Sequence, residues 1–218
     1  MSYNVRYLSV RDMGAATVLV WAADNYHIDI VKILIAKGVS ANARDSDGKG
    51  NSALQCAVWT VNVALVRLLI KHGADANVGN RHWTPLMTAA WAMGTSRGGG
   101  GKRKVLAILK LLLANGAKVN ARDDVGQTAL TLAAAVGNVA SVRLLLRAGA
   151  YIHSRDKRGN GALIGAIQFH NFDTIKFLLE QGINPNARNK EGETVLAYAE
   201  LCKDDDIVQL LLQHGARK

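Results

Sequence analysis

The stretch Asp123-Asp124-Val125-Gly126-Gln127-Thr128-Ala129-Leu130-Thr131-Leu132-Ala133-Ala134 decides the fold. It is followed by Gly137-Asn138, then Val142-Arg143-Leu144-Leu145-Leu146, then Gly149-Ala150. The Asp-x-x-Gly-x-Thr opening is turn chemistry, because glycine takes a positive φ at no steric cost. Thr128 carries the hydroxyl of a helix N-cap, which accepts one of the helix's unpaired amide N–H groups. Leu130, Ala133 and Ala134 recur at helical spacing, and Gly137-Asn138 interrupts that helix. Val142, Leu145 and Leu146 form the apolar stripe of a second helix, which Gly149 closes. The predicted unit is therefore turn, short helix, turn, longer helix, turn.

Outward from this copy, the closing glycine and its small or apolar neighbour recur. They stand at Gly38-Val39, Gly73-Ala74, Gly116-Ala117, Gly149-Ala150, Gly182-Ile183 and Gly215-Ala216, spaced by 35, 43, 33, 33 and 33 residues. A fixed period means one supersecondary unit copied in tandem, and such a unit buries its apolar face only against its neighbours. The chain reads as an all-α repeat solenoid of helix-turn-helix units joined by β-hairpin-like loops. It forms one domain over 1–218, with repeats near 12–44, 45–78, 79–121, 122–154, 155–187 and 188–218. The outer two serve as caps. Function is expected on a surface that runs along the stack.

The pattern resembles the ankyrin repeat family over roughly residues 12 to 216. The matching blocks are Thr84-Pro85-Leu86 with Ala89-Ala90, Thr128-Ala129-Leu130 with Ala133-Ala134, and Thr194-Val195-Leu196. Weaker versions are Thr17-Val18-Leu19, Ser52-Ala53-Leu54 and Gly161-Ala162-Leu163, and Asn-Ala-Arg appears at 42–44, 120–122 and 186–188. Where the family usually has a histidine after that block's leucine, this chain has Val20, Gln55, Met87, Thr131, Ile164 or Ala197. His153 stands where Asn42, Asn77, Asn120 and Asn186 stand in the other copies.

Composition narrows the function classes. Apolar residues make up 49% of the chain, ample for a stacked core, and aromatics only 6%. The net charge of +10 and a pI near 9.8 favour acidic partners, nucleic acid or anionic surfaces without choosing among them. Cys56 and Cys202 fall in repeats two and six, beyond disulfide reach, which points to a reducing, cytoplasmic setting. No run of 18 apolar residues exists, so no membrane span is expected. The apolar segment 14–23 fits the first helix of repeat one better than a signal peptide.

The period breaks twice. Two extra residues in the turn 45–51 account for the 35-residue spacing. The 43-residue spacing comes from an insertion near 94–104, between the two helices of repeat three. It holds Gly98-Gly99-Gly100-Gly101 and the basic residues Arg97, Lys102, Arg103 and Lys104. Four consecutive glycines have no side chains to pack and lose much entropy on ordering, so a mobile loop is expected, with Lys102–Val105 starting a lengthened second helix. It lacks the Gly-x-x-x-x-Gly-Lys-Ser/Thr spacing of a phosphate loop. Contact of this loop with a partner is an expectation of the same reading.

In ankyrin proteins the hairpin tips and the exposed side of the first helices form a concave groove that binds other proteins. Carried over by position, that face holds Trp59, Trp83, Trp91 and Phe169, with Arg81, Arg122, Arg155 and Arg158 on the hairpins. Large aromatics supply apolar area and arginines pair with carboxylates. Trp59 and Trp91, in adjacent repeats, are also placed to pack on each other. Trp21 is read as core.

Catalytic chemistry finds no purchase. The six histidines, at 27, 72, 82, 153, 170 and 214, show no metal-ligand spacing. His82 and His170 lie near the groove but read as polar surface. No nucleophile elbow or metalloprotease motif occurs, and no cofactor motif. Asp204-Asp205-Asp206 reads as helix-start chemistry, where acidic residues complement the dipole. The expected function is non-catalytic binding of an acidic protein partner in the concave groove, as adaptor, inhibitor or immunity-type protein. The alternative is binding of nucleic acid or anionic lipid through the basic hairpin tips and the Gly-rich basic loop. Self-association through exposed tryptophans is left open.

Overall fold

The computed structural model describes residues 14–45, 50–80, 82–92 and 101–217. Helices among them fall into six consecutive antiparallel pairs. The first members are α1 (Ala15–Asp24), α3 (Ala53–Trp59), α5 (Pro85–Trp91), α7 (Ala129–Val136), α9 (Ala162–Gln168) and α11 (Val195–Leu201). Their partners are α2 (Ile28–Ala36), α4 (Val63–Lys71), α6 (Gly101–Ala114), α8 (Val139–Arg147), α10 (Phe172–Glu180) and α12 (Asp205–Gln213). First helices pack on first helices along one row, and α4 to α12 pack in series along a second. The connecting fingers contain isolated antiparallel bridges, Arg44–Ser52, Arg155–Gly161 and Arg188–Thr194.

Local chemistry sets the helix starts. Ser52, Thr84, Thr128 and Thr194 each accept the amide N–H three residues on, and Pro85 supplies a pre-set φ at the first position of α5. Thr128 and Thr131 close a reciprocal capping box. Gly161 caps α9 with no side chain, and the N-cap of α1 is Gly14, ahead of Thr17. Asn62, Asn138 and Asp204 cap the second helices α4, α8 and α12 through their side chains. Inside the stack runs a column of equivalent leucines, Leu69, Leu112, Leu145, Leu178 and Leu211, all without solvent exposure. Arg143 stacks on Phe177 at 4.3 Å, joining α8 to α10 along the second row.

One sequence reading is corrected here. Trp21 is 43% exposed and faces His27, not the core. It lies two positions past buried Leu19, roughly 200° round the helix from the inward stripe. The lengthened second helix of repeat three is present as expected: α6 begins at Gly101, with Lys102, Arg103 and Lys104 in its first turn, and is 14 residues long against nine for the other second helices described. Gly98, Gly99, Gly100 and Arg97, with the expected mobile loop, lie outside the described residues, as does Arg81.

A second ladder joins the repeats from outside. Asn42, Asn77, Asn120 and Asn186 each donate through Nδ2 to the glycine carbonyl of the next pair, at 2.9–3.0 Å. Each Oδ1 accepts the N–H two residues beyond that glycine, at 2.7–2.9 Å. His153 breaks the ladder. It makes no side-chain hydrogen bond among the described residues and lines a small crevice with Ile183 and Asn184. The structure predicts that His153→Asn restores bonds to the Gly182 carbonyl and Asn184 N–H. The gain expected is about 1 to 2 kcal/mol, read as a raised urea midpoint with unchanged slope.

Candidate binding groove

Along the groove, three of the expected aromatic residues meet. The rings of Trp83 and Trp91 lie 6.0 Å apart at 68°, and those of Trp91 and Phe169 lie 6.3 Å apart at 76°. Trp91 and Phe169 belong to α5 and the end of α9, so this contact passes over the intervening α7. It can do so because α7 presents Ala135 at the position equivalent to Trp91. Trp83 donates its indole N–H to Asp123 Oδ2 at 3.2 Å, which pins the ring to the next finger. Trp83 and Trp91 are half-buried, while Phe169 is 52% exposed. Trp59 stands apart and is 60% exposed; no ring contact joins it to Trp91 among the described residues.

The arginines divide into two kinds. Arg122 donates from Nη1 to the carbonyls of Gly126 (3.0 Å) and Arg155 (2.6 Å). Arg155 donates to the carbonyl of Arg188 at 2.6 Å, and Arg188 to that of Gly192 at 2.8 Å. Arg122 and Arg155 thus latch their fingers to the next, while the Arg188 bond stays within its own finger; all three residues are exposed. Arg158 is exposed and makes no side-chain hydrogen bond or ion pair among the described residues, like Lys157 and Lys190 beside it. Backbone pairing continues the latch, Lys157 N–H to Val125 and Lys190 N–H to Arg158, both at 2.8 Å.

His82 and His170 are engaged by the following pair. His82 Nδ1 meets Asp124 Oδ2, and His170 Nδ1 meets Asp204 Oδ2 at 2.8 Å. The His170 contact, with the N–H groups at the start of α12, holds the Asp204 carboxyl below its ordinary range. A lowered folded-state value means the stabilisation is present above the unfolded carboxyl's pKa and is lost as pH falls through the folded one. Asp204→Asn retains the helix cap but not the charge. It is expected to be less stable than wild type at pH 6, with the gap closing below about pH 4 in acid titrations followed by circular dichroism.

The family model for ankyrin repeats (3 copies) matches residues 19–97, 101–189 and 151–218. The chain belongs to the ankyrin repeat family. A solved ankyrin repeat domain from Acinetobacter baumannii AYE superposes with a TM-score of 0.75 at 32% identity, covering 92% of this chain and 98% of that one. An E3 ubiquitin-protein ligase, KEG, of Arabidopsis thaliana is 34% identical over 106 residues. That match takes in 49% of the ankyrin chain but spans only 6% of the ligase. Ankyrin repeats are protein-interaction modules and typically non-catalytic. Among the described residues no helix is long and apolar enough to cross a membrane, and no group of three or more His, Cys, Asp or Glu is placed to hold a metal ion.

Proposed function

We propose that the array binds a protein partner in its concave groove, that the partner presents an acidic surface, and that binding serves an adaptor, inhibitor or immunity-type role. The observation that carries this reading is the exposure of Trp59 and Phe169 along the groove, with Arg158, Lys157 and Lys190, unpaired among the described residues, at the finger tips beside it. Exposed rings bury apolar area on association and act as anchors. Free basic tips steer an acidic surface and add little once salt screens them. Arg122 and Arg155 contribute through the N–H groups that the finger latches leave over.

The test is affinity capture from host lysate with nuclease treatment, comparing wild type with Trp59→Ala/Phe169→Ala. These two rings are chosen because both are exposed and their removal leaves the core intact. A protein retained by wild type, lost by the double variant and released by about 0.5 M salt supports the reading. Recovery of nuclease-sensitive nucleic acid that is unchanged in the double variant, and lost in Lys102→Ala/Arg103→Ala/Lys104→Ala, overturns it in favour of the basic first turns of α6.

A further inference from the structure

We propose that the cleft walled by Trp83, Trp91 and Phe169 receives one arginine side chain of the protein partner; the inference rests on the groove reading above and specifies its anchor. The cleft has a volume of about 260 Å³ and lies over α7 and α9. Its consecutive rings stand nearly at right angles, so they wall a space instead of stacking face to face. The floor is small: Ala135 and Gly165 face each other, and a Cβ added at Gly165 would sit at ordinary contact, 3.5 Å, from that of Ala135. The missing side chain therefore leaves usable room.

The polar side of the cleft selects the occupant. Asp156 is the only charged side chain among the described residues that line it. Its Oδ1 accepts the N–H groups of Arg158 and Asn160, both at 2.8 Å. Its Oδ2 has no hydrogen-bond partner among the described residues. In the preceding repeat the equivalent oxygen, Asp123 Oδ2, is satisfied by the Trp83 indole N–H. Beside Asp156, Asn160 also lines the cleft, its Oδ1 buried with no partner among the described residues. Gln168 has given its amide nitrogen to Tyr198 Oη at 2.8 Å, which leaves its Oε1 as an acceptor, while the Thr131 hydroxyl is engaged in the capping box of α7. An unspent carboxylate oxygen in a partly enclosed cleft favours a cation. Aromatic faces attract cations as well. Guanidinium suits this set better than ammonium: it is flat, weakly hydrated, stacks on rings and offers five donors to several acceptors. A basic anchor in the cleft and acidic contacts at the tips are compatible, since the cleft carries negative charge within a chain of net charge +10.

The experiment titrates the full chain with acetyl-Gly-Ala-Xaa-Ala-Gly-amide, where Xaa is arginine, lysine, citrulline or norleucine. The readout is the ¹H–¹⁵N shifts of the Trp83 and Trp91 indoles and the Gly165 amide. The arginine peptide is expected to give saturable shifts at these sites below about 10 mM, at least tenfold tighter than citrulline or norleucine and tighter than lysine. Asp156→Asn keeps the Oδ1 bonds and is expected to bring arginine down to the citrulline affinity with the fold unchanged. Gly165→Leu fills the cleft and is expected to abolish the shifts. Equal binding by norleucine or citrulline, lysine as tight as arginine, no cleft shifts, or indifference to Asp156→Asn would each overturn the assignment. These outcomes are separate from lysate capture: a groove that binds protein without an arginine pocket loses the peptide result alone.

Discussion

Leu145→Ala is expected to lower the unfolding free energy by about 3 kcal/mol, whereas Leu211→Ala, at the equivalent position of the last pair, is expected to cost the global transition much less. Both side chains are fully buried. Truncation loses the transfer free energy of the removed carbons and leaves a cavity that the neighbours fill only in part. What separates the two sites is the geometry of a linear array. Leu145 lies in α8, packed between α6 and α10, so a hole there weakens two interfaces and cuts the stack into halves. Leu211 lies in α12, which packs against α10 and α11. There the last pair can open by itself while the other interfaces survive, because stability in such arrays is close to a sum over units and nearest-neighbour interfaces. Urea titrations by circular dichroism check the global values. Amide exchange checks the locality: Leu211→Ala should lose protection over α11 and α12 alone, and Leu145→Ala across the array. Equal global losses would contradict the nearest-neighbour account.

That column of leucines was legible in the sequence, because each repeat's stripe is a local property with helical spacing. The caps at Ser52, Thr84, Thr128 and Thr194 were legible for the same reason, each hydroxyl serving an amide three residues away. The turn between paired helices was only half legible. Gly137 reads as a helix breaker, but Tyr26, Val61, His170 and Lys203 adopt the same positive φ at the equivalent links without being glycine. Trp21 was misread because an apolar run hides its position; counting from Leu19 in 100° steps places it off the inward stripe. The site was legible as a face and not as a constellation. Trp59 and Trp91 are equivalent residues of adjacent repeats, yet the rings that meet Trp91 are Trp83 of its own repeat and Phe169, two repeats on. That contact depends on a missing side chain at Ala135. The arginine latches are not legible because their acceptors are backbone carbonyls, of the same finger and the next, which carry no residue signature.

The recurring glycines sharpen this contrast, and they support the second large prediction. Gly149 and Gly126 look alike in the sequence and share a positive φ of 88°. A Cβ built on Gly149 meets nothing within 4 Å, so Gly149→Ala should cost only the backbone strain, about 1 kcal/mol. A Cβ on Gly126 lies 3.0 Å from Lys157 N and 3.2 Å from Asp156 Cα, main-chain atoms of the next finger that no rotamer change can move aside. Relief requires the two fingers to separate, which stretches the 2.8 Å bond from Lys157 N–H to the Val125 carbonyl. Strain plus one weakened hydrogen bond gives an expected loss of about 2 to 3 kcal/mol for Gly126→Ala. The same displacement moves the Gly126 carbonyl, which Arg122 Nη1 holds together with the Arg155 carbonyl. Arg122→Met and Gly126→Ala should therefore be less than additive, because the second change removes contacts already loosened by the first. A double-mutant cycle by urea denaturation measures this directly. Full additivity would mean that the latch and the close approach act independently, and that the finger row is a set of separate hairpins, not one coupled edge.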